Sequence, residues 1–129
     1  MNLWNATGRE KLFALGRLKT GEMNQTEAAY AWVLEGRKRL GEIAWYKFEG
    51  IKLRLADNTF LTIDFSVMLA NGELEMHEVK GAGAIFQDDA KVKVKVAAEM
   101  YPFRFIVAIP RAKKNGGGWE TTVYGERGA

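Results

Sequence analysis

Asp64 and the triplet Glu78-Val79-Lys80 are the residues of this chain whose types and spacing could carry chemistry. Glu78 and Lys80 stand two apart in a segment with strand patterning, so both side chains leave the same face. Asp64 lies in the strand-like segment just before, and the Asn71-Gly72 pair between them is a hairpin signal that would bring the two alongside. Two carboxylates so placed can hold one or two magnesium ions against a phosphodiester. The ion polarises a phosphoryl oxygen and makes water a competent nucleophile at neutral pH. A lysine on that face can orient the water, help to deprotonate it and steady the charge building on the phosphate. Arginine would be a poor proton acceptor there, because its pKa is far higher. Against this stands the plainer reading of a short pattern: charged residues on a solvated sheet face that meet only water or each other.

The composition narrows what else the chain could do. Its 129 residues suit one domain with a modest core, and 47% hydrophobic with 27% charged residues is ordinary for a soluble globular protein. Without cysteine there is no disulfide framework and no thiolate-bound zinc or iron–sulfur site, and a single histidine disfavours a His-built metal site or a Ser-His-Asp triad. A metal would therefore sit on carboxylates, which favours hard ions such as magnesium. No apolar run approaches a membrane span and the N-terminus lacks a signal-peptide pattern, so the expected partners exclude the membrane and the expected location is the cytoplasm. The net charge of +3 and pI near 9.2 are compatible with nucleic acid without specifying it.

The elements that must position these residues can be read along the chain. Residues 1–23 form an N-terminal arm or short helix, 24–110 the core, and 111–129 a tail with a last strand at Trp119–Tyr124. Asn24-Gln25-Thr26-Glu27 is a capping box opening a helix, Arg37-Lys38-Arg39 complements its C-terminal dipole, and Gly41 stops it. Ile43–Leu55 and Thr59–Leu69 read as strands with a turn at Asp57-Asn58, and Glu73–Lys80 is the return strand of the Asn71-Gly72 hairpin. Gly81-Ala82-Gly83 breaks the pattern. Lys91–Val96 alternates like a strand, yet Ala90, Val94, Ala97, Ala98 and Tyr101 make a helical stripe, with Asp88 and Asp89 at the start and Pro102 at the end. We read it as a helix, followed by a buried strand over Phe103–Ile109. The sum is an α/β single domain, a central mixed β-sheet flanked by helices.

One register question decides the site. A two-residue Asn71-Gly72 turn pairs Ala70 with Glu73 and sets Asp64 opposite Val79, which matches Val67 with Met76 and Leu69 with Leu74 but turns Glu78 to the other face. The chemistry requires a one-residue offset. A three-residue loop ending with Gly72 in the left-handed conformation, or a bulge, supplies it, and such an irregularity is the expectation.

Thr62-Ile63-Asp64-Phe65, the Asn71-Gly72 turn, His77-Glu78-Val79-Lys80-Gly81 and Asp88-Asp89-Ala90-Lys91 together resemble the PD-(D/E)XK nucleases. Within them the chain is similar to phage-encoded endonucleases of the Holliday-junction-resolving endonuclease I type and to small phage relatives. The likeness covers roughly residues 24–109, with Ile63 standing where the family usually has proline. It implies a restriction-endonuclease-like fold and a magnesium-dependent endonuclease acting on DNA, with manganese as a substitute. It also implies a phage or prophage protein in the host cytoplasm. Asp64 and Glu78 would be metal ligands and Lys80 the catalytic lysine. Glu27 would match the family's helix glutamate, a third ligand, while its place in the capping box gives it a purely structural reading beside that one. Lys91, Lys93, Lys95, Arg37 and Lys113 are the candidate DNA contacts, although Lys91 and Lys95 share a helical face that Lys93 does not, and Arg37 and Lys113 also read as solvated ends. His77 reads as a residue at the sheet edge, and Trp32, Trp45 and Tyr46 as core. Junction cutting would imply a homodimer, with the N-terminal arm and Gly116-Gly117-Gly118 as candidate elements. The alternatives are a non-catalytic DNA-binding protein on a nuclease fold and a structural phage or host-interaction protein.

Overall fold

The structure, a computed structural model, describes residues 21–81 and 88–125. The N-terminal arm up to residue 20, the Ala82-Gly83 break and the side chains of Asp88 and Asp89 lie outside the described residues. Helix α1 (Gln25–Arg39) is opened by the Asn24 side chain, which accepts from the Glu27 amide, while the Glu27 carboxylate accepts from the Asn24 amide. It closes on Gly41 at φ +82, with Gly41 N donating to Lys38 O and Glu42 N to Arg37 O, a pairing that satisfies two otherwise orphaned carbonyls.

Next come β1 (Ile43–Phe48), β2 (Lys52–Ala56), β3 (Thr59–Thr62), β4 (Phe65–Leu69) and β5 (Leu74–Val79). Helix α2 (Asp88–Met100) crosses over to β6 (Arg104–Pro110), and a 3-10 turn at Lys113–Asn115 leads to β7 (Trp119–Tyr124). The main sheet runs β1-β4-β5-β6-β7, with β5 and β6 parallel and the other neighbours antiparallel. It is a mixed sheet between two helices. Tyr30 and Leu34 of α1 pack with Phe65, Val67, Val79 and Ala108 on one side. On the other, Val94, Ala97 and Ala98 of α2 pack with Met76, Phe105 and Val107, the stripe that the helical spacing predicts.

The two long strands expected over Ile43–Leu55 and Thr59–Leu69 are each divided. Glu49, at φ +50, and Gly50 interrupt the first, and Ile63-Asp64 the second. The ribbon stays joined across the break, since Glu49 N donates to Asp64 O and Ile63 N to Ile51 O, both at 2.9 Å. Beyond it β2 and β3 form a separate two-stranded hairpin. The break moves the strand from one core to the other: Leu61 and Ile63 belong with α2, and Phe65 and Val67 with α1. A strand that changes partners midway cannot stay straight, and nothing in its alternation announces the change.

Candidate active site

β4 and β5 pair Phe65 with His77, Ser66 with Met76, Val67 with Glu75 and Met68 with Leu74. That register is one residue off the simple Asn71-Gly72 hairpin. The connection is a three-residue loop, Ala70 to Gly72, closed by Leu69 N to Glu73 O at 2.8 Å, with Gly72 at φ +92 donating to Leu69 O. Gly72 can occupy this left-handed position without the Cβ clash that other residues meet there. The apolar matching that favours the other register assumes one buried face. Here both faces are covered, so Met76 lies beside Ser66 on the α2 side while His77 and Glu75 lie beside Phe65 and Val67 on the α1 side.

The offset carries Asp64 to Glu78. Asp64 N donates to Glu78 Oε1 at 3.3 Å, and Val79 N donates to Asp64 Oδ2 at 2.8 Å. Lys80 Nζ lies 3.9 Å from Glu78 Oε2, and the backbone N of Lys80 continues the ladder to Ala108 O. Burial raises the Asp64 carboxyl to about 6; the Val79 hydrogen bond and Lys80 oppose the rise, and Glu27 and Glu49 add to it. Burial raises Glu78 to about 8, helped by the charge of Asp64 and by Glu27, and opposed by Lys80 and the Asp64 amide. The two carboxyls titrate as a linked pair.

Glu27 makes both bonds of its capping box and is also an electrostatic neighbour of Asp64 and Glu78, so the cap sits beside the acid pair. Among the described residues no group of three or more His, Cys, Asp or Glu side chains gathers closely enough to hold a metal ion. The site as built is two carboxylates and a lysine, with Glu27 latched to its own helix. Glu49 was not legible beforehand, because it comes near Asp64 only through the break in the ribbon.

The basic candidates are scattered. Lys91 and Lys95 are exposed on α2, while Lys93 donates to Phe60 O at 3.3 Å. Arg37 is paired with Glu42 at 3.0 Å, at the end of α1 away from Glu27. Lys113 is exposed in the turn that follows β6, and parallel β5 and β6 both finish at the site's end of the sheet.

His77 is not at a sheet edge. It lies on the central strand, 1% exposed, and contacts the Tyr30 hydroxyl through Nδ1 and Glu75 Oε1 through Nε2 at 3.0 Å. A carboxylate can only accept, so Nε2 donates to Glu75, and the Tyr30 hydroxyl is the partner of Nδ1. Arg104 closes the chain 3.4 Å from Glu75 Oε2. Burial alone would raise Glu75, but the His77 hydrogen bond and the charges of His77, Arg104 and Arg37 outweigh it and hold the carboxyl below its usual range. Burial pushes Tyr30 up to about 12. This polar seam pins α1 to β5 on the sheet face opposite Glu78; the helical spacing of Tyr30 and Leu34 was its only signal. Trp32 and Trp45, read as core, are 71% and 41% exposed, and Tyr46 is half-buried and donates to Glu35 at 2.8 Å.

Fold and site together define a small α/β domain with a buried Glu78, a half-buried Asp64 beside it and an adjoining lysine at one end of a mixed sheet. No family profile, curated protein or solved structure matches the chain. No helix among the described residues is long and apolar enough to cross a membrane.

Proposed function

We propose that the protein is a divalent-metal-dependent endonuclease that hydrolyses phosphodiester bonds in DNA. The observation that carries the reading is the one-residue offset of the β4–β5 hairpin, which sets Asp64 against Glu78 with Lys80 beside them. The buried Glu78 and the half-buried Asp64, joined through the Asp64 and Val79 amides with Lys80 beside them, form a hard-oxygen donor set. Magnesium suits such a donor set, since it is commonly held by one or two carboxylates and completes its shell with water and substrate phosphate. Asp64 and Glu78 would hold it, and Glu27 could join after releasing the Asn24 amide. When bound, the ion would stabilise charge on a phosphoryl oxygen and ease ionisation of water. The Val79 amide fixes the Asp64 carboxylate, and the ammonium of Lys80 is placed to hold a water or a phosphate oxygen near Glu78. Branched DNA is the substrate that the sequence resemblance suggests, and a homodimer would follow from it.

The test is cleavage of supercoiled plasmid and of a synthetic four-way junction in magnesium or manganese, by wild type, Asp64→Asn and Lys80→Ala. The expected result is metal-dependent cutting that each substitution lowers roughly a hundred-fold or more. Folded wild-type protein that cuts no DNA form with either metal overturns the reading, and binding without cutting returns the non-catalytic alternative.

A further inference from the structure

The β2–β3 hairpin leaves the main sheet at the acid pair, through Glu49 N to Asp64 O and Ile63 N to Ile51 O. Its inner residues Leu53, Leu55 and Leu61 are buried against α2. Its outer residues are Lys52, Arg54, Phe60 and Thr62, all exposed, with Lys52 opposite Thr62 and Arg54 opposite Phe60. Phe60 is 38% exposed, and Lys52 Nζ stands 4.5 Å from the centroid of its ring. The backbone beneath is braced from α2, by Lys93 Nζ to Phe60 O and Tyr101 Oη to Arg54 O at 2.7 Å. None of the four outer residues is acidic; Asp57 stands at the tip turn. A braced strip of two cations around an exposed aromatic ring, leading to a phosphodiesterase-like site, has the chemistry of a single-strand platform: cations for phosphates and a ring for a base.

We propose that this outer face holds an unpaired DNA strand running toward the acid pair, with Lys52 and Arg54 on its phosphates and a base stacked on Phe60. The stacked base takes the place of the Lys52 ammonium over the ring, an exposed cation–π contact weak enough to exchange, and Lys52 moves to the adjoining phosphate. The choice of DNA as ligand rests on the nuclease reading, and the role of the hairpin rests on the geometry above.

Binding of a short labelled single strand and of the matching duplex, followed by fluorescence anisotropy in EDTA, separates the two claims because no cutting is involved. Phe60→Ala weakens single-strand binding by about tenfold and leaves duplex binding nearly unchanged, while Phe60→Trp preserves it. The double variant Lys52→Gln/Arg54→Gln lowers the slope of log K against log salt by about 1.4, roughly 0.7 for each cation on a single strand. The substituted side chains are exposed, so these variants should melt with the wild type; if Phe60→Ala does not fold, the double variant and Phe60→Trp carry the test. An unchanged slope with neutral Phe60 variants, or no binding at low salt, overturns the proposal. If wild type still cuts DNA with metal in that case, the nuclease reading survives without it. Hairpin-dependent binding by a protein that never cuts is the reverse outcome.

Discussion

Glu78→Gln should stabilise the metal-free protein at alkaline pH and leave its stability unchanged in acid. Glu78 is buried beside Asp64, and its carboxyl is raised from 4.5 to about 8, mainly by burial and then by the charge of Asp64. Below about pH 4 the folded and unfolded chains both hold this proton, and the site costs nothing. As pH rises above 4.5 the unfolded chain releases the proton while the folded one keeps it, so stability falls, and the loss is complete once the pH passes the folded value near 8. At 1.36 kcal/mol per unit the full loss is on the order of 5 kcal/mol. Glutamine stays neutral throughout and can still accept the Asp64 amide through its carbonyl oxygen. The variant should therefore gain roughly 2–4 kcal/mol at pH 8.5, about 10 °C in Tm for a domain of this size. Thermal melts of both proteins in EDTA, at steps from pH 4.5 to 9, measure it. A Tm difference that does not change with pH, or a variant less stable than wild type at pH 8.5, would refute the burial and the pairing on which the site is built.

Millimolar magnesium should relieve the same cost: ten times its dissociation constant raises wild-type stability by about 1.4 kcal/mol, and Glu78→Gln by much less, readable in the same melts. Gly72→Ala forces a Cβ into φ +92 and should cost about 1–2 kcal/mol, with any change of loop length also displacing Glu78 and abolishing cleavage; urea unfolding and the plasmid assay check the two effects. Tyr30→Phe leaves His77 Nδ1 buried without its partner and should cost about 1–3 kcal/mol by chemical denaturation, whereas Trp32→Ser, on an exposed side chain, should stay within about 0.5 kcal/mol of wild type.

Local chemistry made much of the architecture legible. The Asn24–Glu27 capping box, the Gly41 stop and the α2 stripe depend on neighbours within a few residues, and each forms as its spacing indicates. The shared face of Glu78 and Lys80 follows from strand alternation alone. Tertiary structure settled what local rules leave degenerate. Two hairpin registers differing by one residue have the same propensities, and the apolar match favoured the wrong one, because it could not show that α1 buries Glu75 and His77 under a hydrogen-bonded seam. The breaks at Glu49-Gly50 and Ile63-Asp64 arise because one ribbon must serve two cores, and that demand exists only once both helices are docked. Trp32 is exposed for a related reason: a helical position has no core to join until another element covers it. The sequence by itself therefore determined which residues could do chemistry. Only packing determined that Asp64 meets Glu78, since a contact between strands depends on register, and register is fixed by what both faces of the sheet bury.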